Sequence, residues 1–142
     1  MRFHWPALIA TLSIAGAAQA QEYTRYPGAW SGSFLLYVAQ QDTGAIGPPA
    51  IYPGTLQIEP DGAVRGSVPD AACIMAGAAT DYLTPVNASI ELDVSSCRDV
   101  RFNGHYSGKL LNNPILKYAS LRLSSIRSLD AGTAQISAII RH

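Results

Sequence analysis

Apolar and polar side chains alternate with a period of two along most of the chain after residue 28. Between Val86 and Val94, for example, Val, Ala, Ile and Leu alternate with Asn, Ser, Glu and Asp. This period is typical of β-strands with one buried face. It predicts eight strands: Ala29–Ala39, Thr55–Glu59, Ala63–Val68, Ala72–Ala78, Val86–Val94, Val100–Leu110, a seventh that ends near Ser125, and an eighth that contains Ala134–Ile140.

Turn-forming residues separate these predicted strands. Pro60–Gly62 can form a three-residue hairpin loop, because proline presets the turn and glycine accepts a left-handed conformation. Asn112–Asn113 predicts a two-residue turn, whose register would place Leu121 opposite Gly104. The proline- and glycine-rich stretch Gln40–Pro53 predicts a long irregular loop.

Short strands joined mainly by tight turns predict an all-β domain with an up-and-down meander. Eight such strands can close into a single antiparallel barrel, which removes exposed sheet edges, and a two-sheet β-sandwich is the alternative. Four glycines fall on predicted inward faces, namely Gly32, Gly66, Gly104 and Gly108. They indicate either strand bending with close packing or an internal space for a ligand.

The first twenty residues have the three-part order of a secretory signal peptide. A start with Arg2 precedes an uncharged apolar stretch, and Ala18-Gln19-Ala20 offers small residues to a signal peptidase. We therefore predict a signal peptide at residues 1–20, a β-barrel domain at residues 21–142, and a periplasmic or secreted location. Gln21 at the new N-terminus argues against a lipid anchor attached through cysteine.

Charge and cysteine content narrow the function classes. Without Arg2, nine Lys and Arg side chains balance ten Asp and Glu, which predicts neither nucleic-acid binding nor membrane insertion. Cys73 and Cys97 are the only cysteines, and an even number in an exported chain predicts a disulfide. Two cysteines and two histidines in residues 21–142 make a poor metal site, so we predict no metal and no cofactor.

The start of the first strand carries a family resemblance. Gly28-Ala29-Trp30 resembles the G-x-W element that begins the first strand of calycin-type barrels, which include lipocalins, avidins and small periplasmic protease inhibitors. In lipocalins this Trp closes one end of the barrel, and the resemblance implies that Arg141 or Arg127 packs over it. Biotin binding is not implied, because avidins use several Trp residues and Trp30 is the only one after the signal.

Candidate catalytic groups are sparse. His105 lies on a predicted polar face and would need Asp99 or Asp93 close by to act as a general base, while Glu91 and Asp93 point the same way. A solvated strand face is the favoured interpretation of these residues. No recognised catalytic or phosphate-binding motif occurs, so we predict no catalytic residues and no enzymatic activity.

Charged and aromatic side chains suggest two possible contact surfaces. Three basic residues, Arg101, Lys109 and Arg122, would share an outer face, as an anion or partner patch or as a solvated exterior. Aromatic residues crowd the first third of the exported chain near the long loop, and they form the predicted binding set: Tyr23, Tyr26, Trp30, Tyr37 and Tyr52.

These observations predict a non-enzymatic exported binding protein, with an inhibitor of an exported hydrolase as the most concrete form. Such a protein would contact its protein partner through one rim of the barrel. Two alternatives stay open at this point: a carrier of a small apolar ligand inside the barrel, and an enzyme centred on His105.

Overall fold

The computed structural model describes residues 27–40, 43–84, 87–129 and 132–142, and the predicted signal peptide lies outside these ranges. Each strand pairs antiparallel with the next, and the last pairs with the first, so the sheet is a closed up-and-down barrel rather than a sandwich. Its strands are β1 (Gly28–Ala39), β2 (Ala50–Ile58), β3 (Ala63–Val68), β4 (Cys73–Thr84), β5 (Asn87–Ser95), β6 (Gly104–Asn113), β7 (Tyr118–Leu129) and β8 (Gly132–Arg141).

Side chains from one face of every strand fill the barrel interior. Phe34, Phe102 and Tyr106 are buried there together with Leu, Ile, Val and Ala side chains, as the period of two predicts. Each large apolar side chain removed from water stabilises the fold by about 1.5–3 kcal/mol. The four positions predicted for the inner face of β8, from Ala134 to Ile140, are all buried.

Two of the inward glycines mark close approaches between neighbouring strands. A Cβ on Gly32 would collide with the backbone carbonyl of Ile139, and one on Gly108 would collide with that of Arg122. Only glycine allows neighbouring backbones to come this near, which lets a sheet of eight strands curl tightly. At these positions the structure supports close packing over a space left for a ligand.

The predicted loop before β2 is too long, because β2 begins at Ala50 and includes Pro53. Proline usually interrupts a sheet, since it lacks an N–H donor. Here the pairing of β2 with β3 starts only at Thr55, so Pro53 leaves the β2–β3 hydrogen bonds intact. The sequence pattern could not reveal that the first half of β2 pairs with one neighbouring strand, β1, and not with β3.

The predicted sixth strand and its following turn are both displaced. Val100–Phe102 forms a 3₁₀ turn, and β6 instead runs through Asn113 to a turn at residues 114–117. Leu121 therefore lies opposite Leu110 and not opposite Gly104. The register moves by an even number of residues, so the same side chains still face inward.

The barrel has two unlike ends. The Trp30 end contains the start of β1, the end of β8 and the tight turns after β2 and β6. The disulfide end contains the end of β1 and the connections after β3 and β5. Among the described residues, no helix is long and apolar enough to cross a membrane.

Candidate functional site

The disulfide end brings together two irregular connections that are distant in sequence. Cys73, at the start of β4, is bonded to Cys97, in the segment that follows β5. This confirms the predicted disulfide. The bridge fixes the β5–β6 connection against the neighbouring β3–β4 connection, so the rim at this end is covalently tied to the barrel wall.

The β5–β6 connection, residues 96–103, is here called the stapled loop. The Cys97 N–H donates a hydrogen bond to Asn103 Oδ1 at 2.9 Å, which joins the two ends of the loop. The Arg98 N–H donates to the Ala71 carbonyl at 2.9 Å, and this bond ties the loop to the β3–β4 connection. The stapled loop is therefore held by one disulfide and by hydrogen bonds at both of its ends.

A short ion pair stabilises the middle of the stapled loop. Asp99 Oδ1 accepts a hydrogen bond from the Arg101 N–H at 3.1 Å, and Arg101 Nη2 lies 2.7 Å from Asp99 Oδ2. The hydrogen bond from the Arg101 guanidinium lowers the pKa of the Asp99 carboxyl, and the same contact raises the pKa of Arg101. This arrangement caps the 3₁₀ turn that begins at Val100.

That turn sends two apolar side chains, two positions apart in the sequence, in opposite directions. Val100 is 70% exposed, whereas Phe102 is buried in the barrel. The Phe102 carbonyl accepts a hydrogen bond of 2.9 Å from the buried Tyr106 hydroxyl, and burial raises the pKa of Tyr106 well above its usual range. The loop thus presents an apolar side chain to solvent on a base anchored in the core.

A cleft of about 480 Å³ opens beside the stapled loop. Its lining includes the buried Leu36 and Phe102, the half-buried Tyr52, and the exposed Arg98 and Val100. Concave sites with mostly apolar linings and a few polar groups are where proteins usually bind ligands and partner side chains. The disulfide end is therefore the best candidate site in the described part of the chain.

The structure does not bring together the three described members of the predicted aromatic set. Tyr52 lines the cleft at the disulfide end, but Tyr37 lies on the outer wall, where its hydroxyl bonds to Gln135 Oε1 at 3.0 Å. Trp30 is buried near the opposite end of the barrel. Tyr23 and Tyr26 lie outside the described residues. Of the three members that the structure describes, Tyr52 alone lines the candidate site.

The described surroundings of Trp30 include a histidine and exclude one of the two arginines that the resemblance implies. The ring of His142 packs edge-on against the Trp30 ring, with 5.2 Å between the ring centroids. Arg127 lies at the other end of the barrel, where its Nη2 approaches the Asn103 carbonyl at 3.5 Å. His142 thus covers part of the Trp30 ring, and Arg127 is too far away for the implied role. Arg141 lies opposite Ser31 in the pairing of β8 with β1 and is exposed.

A histidine and two carboxylates meet on the outer wall. His105 Nδ1 lies 2.8 Å from Asp93 Oδ1, and its Nε2 lies 4.0 Å from Glu91 Oε2. The sequence left open whether Asp93 or Asp99 would reach His105, and the structure selects Asp93. All three side chains are solvated, no hydrogen bond joins Ser107 to His105, and the described residues contain no group of metal-binding side chains.

The predicted basic patch is only partly assembled. Lys109 and Arg122 are directly opposite each other on the outer faces of β6 and β7. Arg101 does not join them, because it lies in the 3₁₀ turn at the disulfide end and pairs with Asp99. The strand predicted at Val100–Leu110 had wrongly given these three residues one face.

The sequence analysis missed Val100 as a candidate site residue, because the predicted strand turned it inward. The residues that could have revealed the turn are Asp99 and Arg101, since an aspartate with a partner two positions later is typical of a capped turn.

Comparison with known proteins adds no relative to this description. No protein-family model matches the chain, and neither the curated proteins nor the solved structures gave a match.

Proposed function

We propose that this protein is a non-enzymatic exported binding protein that inhibits an exported hydrolase through the rim at its disulfide end. The observation that carries the proposal is the stapled loop, which holds the exposed Val100 on a base fixed by Cys97 and by the Asp99–Arg101 pair. The closed barrel supplies a rigid support beneath it.

The fixed loop favours tight binding for an energetic reason. Ordering a flexible loop on association costs free energy, and a loop already held in one conformation avoids that cost. An exposed apolar side chain at the centre of a contact contributes more than polar residues at its edge, because it leaves water completely. Val100 is an exposed apolar side chain on a loop already held in one conformation. The neighbouring cleft can accept a side chain of the partner.

The barrel itself is consistent with this proposal. A closed eight-stranded up-and-down barrel is compatible with a calycin-like domain, and the resemblance at Gly28-Ala29-Trp30 includes small periplasmic protease inhibitors in its range. Location in the periplasm or outside the cell belongs to the same proposal. The disulfide supports it, because disulfides persist in oxidising compartments.

The carrier alternative lacks a specific supporting observation. Side chains that include Phe34 and Tyr106 occupy the described interior, and at Gly32 and Gly108 the neighbouring backbone approaches closely. The enzyme alternative would rest on His105 and Asp93, and full activity of a His105→Ala variant in any assay that detects activity would eliminate it.

Inhibition assays against a panel of purified exported proteases and glycosidases test the proposed function. We expect the protein to inhibit at least one of them and the Val100→Asp variant to lose at least tenfold in affinity, since a buried charge in place of an apolar contact is costly. Ile139→Asp is the matched control, because Ile139 is 51% exposed on the outer face of β8 and pairs with Ser120 toward the Trp30 end of the barrel. Equal affinity of both variants would remove the stapled loop from the contact, and inhibition of no hydrolase would reject the inhibitor proposal.

A further inference from the structure

The turn between β6 and β7, residues 114–117, exposes two large apolar side chains at the Trp30 end. Ile115 is 87% exposed and Leu116 is 59% exposed, and Leu111 just before them is also exposed. Together these three side chains are here called the apolar tip. Adjacent apolar side chains at the exposed end of a hairpin do not contribute to the packing of the barrel core. Exposed apolar patches of this kind mark sites where a protein contacts a partner or a membrane.

Hydrogen bonding and backbone conformation hold the apolar tip in place. The Leu116 N–H donates to Asn113 Oδ1 at 3.0 Å, and Lys117 closes the turn with a left-handed φ of 56°. The tip is thus a built turn that projects Ile115 and Leu116 outward.

The hairpin that carries the tip has charges of one sign only. Residues 104–129 contain four Lys and Arg residues and neither Asp nor Glu. Lys117 is in the turn itself, and Lys109 faces Arg122 a short distance along the strands. Only Arg127 lies at the disulfide end.

The described acidic residues nearest the tip belong to other strands and turns. Glu91 and Asp93 of β5 lie toward the middle and the disulfide end of the neighbouring strand, where they surround His105. Glu59 and Asp61 belong to the β2–β3 turn, which lies four strands away around an eight-stranded barrel and therefore on its opposite side. Asp81 of β4 lies opposite Ser89, which in turn lies opposite Lys109, so the charge of one sign belongs to the β6–β7 hairpin and not to the whole Trp30 end.

We propose that the apolar tip binds the surface of a bilayer that contains anionic phospholipids. Ile115 and Leu116 would enter the boundary between headgroups and acyl chains, while Lys109, Lys117 and Arg122 would contact the negative headgroups. Apolar side chains that enter this boundary and basic side chains at an anionic surface are the two contributions that hold peripheral proteins on membranes. The tip protrudes from the barrel, and a protrusion suits a deformable lipid surface better than it suits a preformed protein groove.

This surface is independent of the proposed inhibitory site, because the two lie at opposite ends of the barrel. A protein bound to lipid by the apolar tip would present the stapled loop away from the bilayer. Binding of this kind is peripheral and requires no strand or helix to cross the membrane.

Vesicle co-sedimentation tests the proposal with the protein, with Ile115→Ser/Leu116→Ser and with Lys117→Asn. The last substitution removes the charge and keeps a residue that tolerates left-handed φ. The vesicles contain phosphatidylcholine alone or phosphatidylcholine and phosphatidylglycerol in equal parts. Ile126→Ser is the control, because it removes an equally apolar exposed side chain from the same β7 strand.

We expect binding to the anionic vesicles that weakens with salt, falls about tenfold or more in the double variant, and falls less in Lys117→Asn. Ile126→Ser should bind as the unaltered protein does. Absence of binding to anionic vesicles would overturn the proposal. Binding that the double variant retains in full would overturn it as well, and tip-dependent capture of a purified exported protein without lipid binding would assign the tip to protein docking. Inhibition of a hydrolase by the double variant should be unchanged, which separates failure here from failure of the proposed function.

Discussion

The two ends of this barrel carry exposed apolar side chains on supports of different construction. At the disulfide end, Val100 sits on a loop that is fixed by a covalent bond and by contacts to a separate connection. At the Trp30 end, Ile115 and Leu116 sit on a hairpin turn whose described hydrogen bond joins residues only three apart. The first support depends on tertiary structure, whereas the second is local.

This difference predicts different responses to perturbation. A support that depends on long-range contacts should loosen when any one of them is lost, while a local turn should persist as long as its two strands remain paired. The contrast also fits the two proposed partners. A fixed loop suits the shaped surface of a hydrolase, and a hairpin tip suits the fluid surface of a bilayer.

Removing the disulfide should have the largest effect. We expect Cys73→Ala/Cys97→Ala to lower the free energy of unfolding by about 3–4 kcal/mol, because the bridge closes a loop between residues separated by 24 positions. Urea unfolding measures the loss, and amide exchange should show that residues 96–103 lose protection while residues 114–117 do not. Equal loss of protection at both ends would contradict the distinction between long-range and local support.

Removing the Tyr106 hydroxyl should have an intermediate effect. Tyr106→Phe leaves the Phe102 carbonyl without its buried donor, and we expect the free energy of unfolding to fall by about 1–2 kcal/mol. Tyr118→Phe at the start of β7 is the matched control, because Tyr118 is only half-buried and the structure gives its hydroxyl no hydrogen bond. Its unfolding free energy should change by less than about 0.5 kcal/mol, and similar losses in both variants would contradict the role of the anchor.

Protonation of Asp99 should have the smallest effect, and it should act on the stapled loop. The folded-state pKa of Asp99 lies below its ordinary value of 3.8, so its ionised form stabilises the loop above that value. This contribution is lost as pH falls from 3.8 through the folded-state pKa, because the carboxyl then becomes protonated. NMR titration should show the Arg101 amide shifting in that range, with the shift absent from Asp99→Asn. If the chemical shift of the Arg101 amide does not change with pH, the ion pair has no role in the loop.

The sequence predicted the inner and outer faces of the barrel far better than it predicted the ends of the strands. Leu121 shows the reason: its predicted partner was wrong, yet it still faces inward, because parity survives an even change of register. The hairpin at Pro60–Gly62 was correct because turn chemistry and alternation there agree within a few residues, as the pairing of Ile58 with Val64 confirms.

The candidate site was much less predictable. Among the described members of the predicted binding set, Tyr52 alone lines it, and Val100 was assigned to the interior. The exposure of Val100 follows from the Asp99–Arg101 pair and the disulfide, which together replace a strand start with a 3₁₀ turn. Competition between an alternating pattern and a local cap cannot be judged from the pattern alone.

By itself the sequence determined the all-β class, the side of most strands that faces inward and the pairing of the two cysteines, since these follow from a period of two and from residue type. Tertiary structure alone decided the register of β6 with β7, the meeting of His105 with Asp93, and the separation of the stapled loop from the apolar tip. The physical reason is that alternation records which side of a sheet a residue occupies. It contains no measure of how far one strand slides along the next, and every site on this barrel depends on that distance.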